Sequence, residues 1–507
     1  MSDPGALLVR CDASVAIGTG HAMRCLALAQ AWQDVGGHVV FTMVETTSAV
    51  EGRLQREGIG VARVCAAVGS EEDAQATIAL ARANQASWIV MDGYCFDARY
   101  QAELKEAKLK VLLVDDNGHQ AHYSADIVLN QNVYAREDPY QSRESYTKLL
   151  LGPRFAMLRR EFAAWRGWKR EIPIVARNVL VTMGGSDPDN VSARVVQAIL
   201  SEHDFEVTVI VGGSNPHLPN LRDLIADHKA TLRLVENPDN MPELIARADI
   251  AVAAAGTTSL EMCFLGLPIL LVALADNQRP VAEELSRRGV AVHLGDSPTT
   301  EGRVIARRLI ELATSAVTRR SMSELARQQV DGCGVKRVLR ALQTSDIRMR
   351  RAESSDCRPL WNLVNDPTVR ASAFSPESIP WDDHVAWFRK KMEATTCQFL
   401  IGETAGTMVG QVRVDQCSER EGEISLSVVS GFRGTGAGHR MLELAVRQIF
   451  ATTALLRIHA YIQPQNLVSI RAFEKAGFLK SGEAMVRGSR AAHYIRERNS
   501  SPDIGEL

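Results

Sequence analysis

The sequence predicts two tandem Rossmann-like α/β domains followed by a smaller α+β domain, on three observations. From Ala6 an apolar strand, a Gly-rich turn and a helix recur, the alternation of a parallel sheet with helices on both faces. The same grammar restarts at Asn178. Beyond about Thr344 it changes to antiparallel strands with a hairpin signal and a single Gly-rich strand-to-helix turn. A chain of 507 residues accommodates three units of the usual ~100–200 residues, placed here at 1–165, 166–344 and 345–507.

In the first unit the strand candidates are residues 7–11, 38–44, 88–91 and 110–114, with a helix over 21–34. Each strand is followed by a loop, and those after 88–91 and 110–114 carry acidic or glycine residues. In the second the strands are 179–183, 206–211, 231–235, 250–254 and 268–272, followed by a helical stretch over 301–343. A polar stretch at 159–177 separates the two halves. Such sheets bind ligands beyond their strand C-termini, so a crevice between the halves is the expected site. In the third unit, strands 397–403 and 409–415 are joined by Ala405-Gly406-Thr407. An alternating strand from Ile424 runs into Arg433-Gly434-Thr435-Gly436-Ala437-Gly438, then come a helix to about 450 and a strand at 455–462.

Composition narrows the function classes. Apolar residues make up 46% and charged residues 23%, with no low-complexity tract, so the chain reads as globular. Lys and Arg number 58 against 60 Asp and Glu, which gives no footprint for nucleic acid or anionic lipid. Small molecules are the expected partners; the oligomeric state is not legible. Residues 1–8 lack a basic segment followed by an apolar one, and no run of ~18 apolar residues exists. A soluble, cytoplasmic protein is expected. The nine cysteines are dispersed, without CxxC, which predicts reduced thiols and no metal site.

The chemistry-bearing segments come next. After the first strand the chain reads Arg10-Cys11-Asp12, then Gly18-Thr19-Gly20-His21-Ala22-Met23-Arg24. Two glycines let backbone approach a ligand, and the helix start supplies unpaired N–H groups. His21 at that start is disfavoured as imidazolium by the helix dipole, which leaves the neutral state a general base needs. Hydrogen bonding to its own loop is the alternative. Asp12 either orients His21 or binds substrate. The second half carries Met183-Gly184-Gly185-Ser186-Asp187 and Ala255-Gly256-Thr257-Thr258-Ser259-Leu260-Glu261. Backbone and hydroxyl donors there suit a pyrophosphate, and Glu261 suits ribose hydroxyls.

Together with Met91-Asp92-Gly93-Tyr94, Val114-Asp115-Asp116, Leu129-Asn130-Gln131-Asn132, Gly152-Pro153-Arg154 and Asp276-Asn277-Gln278, these segments resemble a hydrolase family of pseudaminic acid biosynthesis. Its members remove UDP from UDP-2,4-diacetamido-2,4,6-trideoxy-β-L-altropyranose. The resemblance covers about residues 6–340 and implies a glycosyltransferase-B-like fold. It implies His21 as the base that activates water, and Glu261 with Gly256, Thr257, Thr258 and Ser259 holding UDP; Asp12 stays the second catalytic candidate on the residues alone. Gly18, Gly20, Arg24, Gly185, Ser186, Tyr94, Asn277 and Gln278 join the substrate-binding candidates, as does Asp92 unless it caps a helix. The reaction implied is metal-independent attack of water at the sugar C1, with departure of UDP.

In the third unit the Gly-rich turn makes an anion nest, followed by Asn466-Leu467-Val468-Ser469 and Phe473-Glu474-Lys475-Ala476-Gly477-Phe478. These segments, with Trp361-Asn362 and Asn365-Asp366-Pro367, resemble the GCN5-related N-acetyltransferase (GNAT) superfamily, which implies acetyl-CoA as cosubstrate. Arg433, Gly434, Gly436 and Gly438 would contact its diphosphate and Asn466 the pantetheine side. In many relatives a Tyr acid stands where this chain has Phe473, so the acid becomes Tyr461 or is absent. Base candidates are Glu421, Glu423 and His459, while His439 caps or faces solvent. The resemblance pairs N4-acetylation of a UDP-4-amino sugar with hydrolysis of the product. The rivals are a glycosyltransferase of the same fold and a CoA-binding or protein N-terminal acetyltransferase module.

Overall fold

The computed structural model describes residues 4–498 apart from 16, 201–204, 227, 229–230, 298, 345–346 and 405. Its first lobe runs β1 (Ala6–Cys11), α1 (Gly20–Asp34), β2 (His38–Met43), α2 (Ser48–Arg56), β3 (Gly60–Arg63), α3 (Glu71–Ala83), β4 (Ala86–Asp92), α4 (Ala98–Glu106), β5 (Val111–Val114), β6 (Ile127–Asn130) and β7 (Lys148–Leu151). These strands form one parallel sheet in the order β3-β2-β1-β4-β5-β6-β7.

The second lobe runs β8 (Asn178–Thr182), α5 (Val191–Leu200), β9 (Glu206–Val211), α6 (Leu218–Ala226), β10 (Leu232–Glu236), α7 (Met241–Arg247), β11 (Ile250–Ala254), α8 (Thr258–Phe264), β12 (Ile269–Ala273), α9 (Arg279–Arg287), β13 (Ala291–Asp296), α10 (Gly302–Thr314), α11 (Ala316–Gln329) and α12 (Gly334–Thr344). Its parallel sheet has the order β10-β9-β8-β11-β12-β13. Helices cover both faces, so central strands such as β11 and β12 are buried at every position, which is why they read as unbroken apolar runs.

The two lobes form one compact unit, Pro4–Leu339, and a second begins at Arg340, a division that falls within α12. The polar stretch 159–177 is therefore not a free linker. Leu158 and Phe162 are buried in the core of the second lobe beside Val133 and Ala156 of the first. Arg170 donates to the carbonyls of Ile245 (2.7 Å), Ala246 and Ala248 at the end of α7, and of Leu265 after α8, supplying partners for carbonyls that helix ends leave unpaired. The helical stretch near 301–343 is three helices. Ser315 ends α10 and caps α11 by accepting from the Thr318 N–H, and Gly332 takes a left-handed φ of 71° before α12.

The second unit contains β14 (Arg348–Arg351), α13 (Cys357–Val364), α14 (Pro367–Ala371), α15 (Trp381–Glu393), β15 (Cys397–Thr404), β16 (Thr407–Gln416), β17 (Glu421–Val428), α16 (Ala437–Thr452), β18 (Arg457–Ile462), α17 (Leu467–Lys475), β19 (Leu479–Val486) and β20 (Ser489–Glu497). The sheet order is β14-β15-β16-β17-β18-β20-β19, antiparallel except between β17 and β18. Of the expected hairpin turn, Ala405 lies outside the described residues and Gly406 is left-handed at φ 69°. The parallel pair joins only Glu421, Gly422 and Glu423 to Arg457, Ile458 and His459. Past Glu423 the two strands part, and a wedge opens in the sheet.

Candidate active sites

Both parallel sheets reverse strand order between their central strands, β1/β4 and β8/β11, so the loops after these strands converge on one cleft of about 760 Å³. The approach is close. A Cβ on Gly185 would lie 2.5 Å from Thr19 Oγ1, and one on Gly20 3.8 Å from Thr257 Oγ1. Gly185 is thus required by the contact of one lobe's loop with the other's. Gly18, Gly20, His21, Arg24, Tyr94, Gly185, Ser186, Gly256, Thr257, Thr258, Glu261, Asn277 and Gln278 all line this cleft. Asn277 Nδ2 donates to Tyr94 Oη across it (2.8 Å).

His21 stands in the first turn of α1, its Nδ1 3.0 Å from Asp92 Oδ1 and its ring edge-on to Tyr94. Nε2 is the nitrogen left for the cleft. Asp92 ends β4, fully buried, and accepts from Arg24 Nε (2.6 Å), Arg24 Nη2 (2.7 Å) and Cys25 Sγ (3.3 Å). Arg24 Nη1 continues to Asp116 (2.8 Å), which also accepts from Asn132 Nδ2 (2.6 Å). One guanidinium between two carboxylates leaves the cluster a negative charge in excess, which favours a proton on His21. Burial pushes the imidazole down, but Asp92 and Asp116 carry it above the ordinary histidine range. The helix end that was expected to keep the ring neutral is thus opposed by a full carboxylate charge at 3.0 Å, which outweighs a partial charge. Burial alone would raise Asp92, yet Arg24 and then His21 hold it far below the carboxylate range.

Three candidates face away from the ligand space. Asp12 does not touch His21. Its Oδ2 accepts from Arg10 Nη1 (2.7 Å) and its Oδ1 from the N–H groups of Val44 and Glu45 (2.7 and 3.0 Å), so it pins the end of β1 to the loop after β2. Asp92 spends both oxygens on Arg24, Cys25 and His21 and orients them instead of meeting substrate or capping α4, whose cap is Asp97. Ser259 is buried and donates to the Gly256 carbonyl (2.6 Å). Glu261 lines the cleft paired with Arg159 Nη2 (2.9 Å), and burial lifts its carboxyl above the usual value against the pull of Arg159.

The cleft also holds Arg53, Asp116, Asn132, Tyr134 and Arg159, none of them assigned a role from sequence. The Asp115-Asp116 doublet was the available signal. Only the fold distinguishes its members, since Asp115 accepts from Tyr123 Oη (2.6 Å) and the N–H groups of Asn117 and Gly118, whereas Asp116 faces Arg24. Among the described residues no group of three or more His, Cys, Asp or Glu is disposed to hold a metal ion.

In the second unit the Gly-rich turn lies between β17 and α16. Gly434 and Gly436 are left-handed at φ 74° and 87°, and Gly436 caps α16 with no side chain bonded to its first-turn N–H groups. Those donors are the ones an anion can take. The Arg433 side chain is otherwise engaged: Nε donates to the Val428 carbonyl (2.9 Å) and Nη2 lies 2.9 Å from Asp366 Oδ1. At Gly438 a Cβ would lie 3.4 Å from Leu426 and Val428, an ordinary van der Waals contact. Asn466 caps α17 through its carbonyl oxygen, accepting from the Ser469 N–H (3.1 Å), which leaves only its amide NH₂ for a ligand.

Phe473 is buried in the core against Phe478, ring centroids 5.0 Å apart. Tyr461 stacks on His493 (4.8 Å), a residue that sequence reasoning missed. His459 Nε2 is 3.7 Å from Glu421 Oε2, Glu423 is exposed, and His439 Nε2 is 3.8 Å from Glu443.

Comparison with known proteins fits this geometry. Residues 178–331 match the glycosyltransferase family 28 C-terminal domain and residues 346–479 the acetyltransferase (GNAT) domain. An uncharacterized protein of Methanocaldococcus jannaschii is 23% identical over 480 residues, 93% of this chain and 96% of its own length. A Campylobacter jejuni protein named UDP-2,4-diacetamido-2,4,6-trideoxy-beta-L-altropyranose hydrolase is 25% identical over 289 residues, 56% of this chain and 98% of its own. A prophage-derived uncharacterized N-acetyltransferase of Bacillus subtilis is 27% identical over 152 residues, 30% of this chain and 80% of its own. The chain therefore has homologues named as a hydrolase of the pseudaminic acid pathway and carries a C-terminal GNAT domain. No helix of the described residues is long and apolar enough to cross a membrane.

Proposed function

We propose that this chain is a bifunctional enzyme of nucleotide-sugar metabolism. Its second unit acetylates the 4-amino group of a UDP-4-amino-4,6-dideoxy sugar from acetyl-CoA, and its first releases UDP from the resulting diacetamido sugar. The observation that carries the hydrolase reading is His21, held by Asp92 with Nε2 left toward a cleft that the pyrophosphate-type loops also line. Water gives a proton to Nε2 as its oxygen bonds to the sugar C1, and the C1–O bond breaks with its electron pair going to UDP. Loop amides and hydroxyls at Ser186, Gly256, Thr257 and Thr258 receive the diphosphate charge; α8, with seven residues, is too short for its dipole to be the main term. Glu261, braced by Arg159, takes the ribose hydroxyls.

A glycosyltransferase reading is favoured by the family 28 match over 178–331, since only the acceptor, water or sugar, separates the two. Incubating the chain with the UDP-4-amino sugar and acetyl-CoA, and following CoA and UDP together, tests the proposal. Release of both without an added acceptor is expected. UDP release that requires an acceptor sugar would favour the transferase, and absence of CoA release would reject the acetyltransferase half.

A further inference from the structure

The Gly-rich turn before α16 offers backbone N–H groups to the anionic part of acetyl-CoA, yet the cation written into the turn is engaged elsewhere. Arg433 Nε donates to the Val428 carbonyl, and its Nη2 lies 2.9 Å from Asp366 Oδ1. In the first turn of α16, Arg440 Nη1 is 3.3 Å from Glu443 Oε2. The bare N–H groups behind Gly434 and Gly436 can surround one phosphate group. Acetyl-CoA carries a diphosphate and a separate phosphate on its ribose 3′ oxygen, so backbone dipoles alone leave most of that charge without a counter-ion.

Arg340 stands beside this turn. It lies on α12, ahead of the matched segment 346–479, and is half-buried. A Cβ on Gly431 would lie 3.6 Å from Arg340 Nη2 and 3.8 Å from its Cζ and Nε. Near-equal distances to three atoms mean that the flat face of the guanidinium meets the glycine, which leaves its N–H edges for another partner. Among the described residues that guanidinium makes no hydrogen bond, ion pair or ring contact. Gly431 and Gly434 are three positions apart, at most about 11 Å of chain. A permanently charged group without a counter-ion therefore lies within reach of a ligand whose diphosphate sits on the turn.

We infer that Arg340 is a phosphate contact of acetyl-CoA, supplying from α12 the counter-ion that Arg433 does not. This inference rests on the acetyltransferase reading of the second unit. The N–H groups of the turn receive one phosphate, and Arg340 takes charge that they leave uncompensated. A guanidinium suits the task, because it stays charged at every working pH and its fork matches two phosphate oxygens at once. The division between the two units falls within α12, just before Arg340. The carrier's site thus draws on a residue that lies ahead of the segment bearing the acetyltransferase motifs. Arg340 is a binding residue and touches no reacting atom.

The test measures binding of CoA and of 3′-dephospho-CoA to the full chain by calorimetry, at low and at high salt. Arg340→Ala and Arg340→Gln should each weaken CoA binding by roughly 10- to 100-fold at low salt. Arg340→Lys should retain most of the affinity, and the gap between the wild type and Arg340→Ala should narrow as salt screens the charge. A loss with CoA and none with dephospho-CoA assigns the contact to the 3′-phosphate, and an equal loss with both assigns it to the diphosphate. Wild-type affinity in Arg340→Ala overturns the inference. So does wild-type affinity in Arg340→Gln, since packing on Gly431 would then suffice without the charge. A wild-type chain that binds neither ligand sinks the acetyltransferase reading, and the inference with it.

Discussion

The two units place their histidines in opposite ways. In the first, His21 belongs to a buried web of full charges, in which Asp92 and Asp116 share Arg24 and every oxygen of Asp92 has a partner. In the second, His459 and His493 lie half-buried on a sheet face, hydrogen-bonded to each other, with the nearest carboxylate 3.7 Å away and not hydrogen-bonded to them. The first arrangement ties the chemistry to the fold, because removing one ion leaves another buried and unpaired. The second leaves the sheet intact when a member is lost. A single substitution should therefore cost more stability around Asp92 than around His493.

The strongest way to break that contrast is Asp92→Asn. It should destabilise the first unit by about 3–5 kcal/mol and abolish UDP release, read by denaturant unfolding and product formation; a stable, inactive variant would show the web to be purely catalytic. His21→Ala should lower UDP release by roughly 10²- to 10⁴-fold with UDP affinity preserved, and normal turnover would remove His21 from the mechanism. Gly436→Glu places a carboxylate among the bare N–H groups of α16 and should weaken acetyl-CoA binding by roughly 100-fold or more while hydrolysis persists; loss of both activities would contradict separate sites. Glu261→Ala should weaken UDP binding by roughly tenfold, and unchanged calorimetric affinity would exclude the ribose contact.

The smallest effect concerns pH. A base must be deprotonated, so hydrolysis should rise with pH through a midpoint above the ordinary ~6.5 of histidine. Asp116→Asn should move it down, since Asp116 is one of the charges that raise His21. An unmoved midpoint would assign the limb to another group. The same raised pKa acts on stability with the opposite sense: the attraction of Asp92 for His21 is fully present below the unfolded-state value and fades as pH rises through the folded one.

Much of the first unit was legible because its physics is local. Parallel strands buried on both faces write continuous apolar runs, and loops that must approach a phosphate or another backbone write glycines, as at Gly18, Gly20 and Gly185. The edge strands β3 and β7 and the short β6 gave no such mark. Asp12, Asp92 and Ser259 sit in the right loops, yet which way each side chain turns depends on its pairing with Arg10, Arg24 or the Gly256 carbonyl, and residue type and spacing do not specify those pairings. In the second unit the Gly-rich turn was readable and His493 was not. Its place beside Tyr461 exists only because β20 inserts between β18 and β19, and that exchange of strand order leaves no local trace.

Arg10 offers a last consequence. Its guanidinium is fully buried, donating to Asp12 and, through two nitrogens, to Asp73 on α3 (2.9 and 2.8 Å). Replacing any one of the three strands the others, so each single substitution is expected to be costly while a matched apolar exchange of all three need not be. Sequence drift at these positions must therefore proceed by coordinated change through less stable intermediates. Related chains should retain the whole trio or none of it, and chimaeras that inherit only part of it should fold poorly even when every residue lining the cleft is kept.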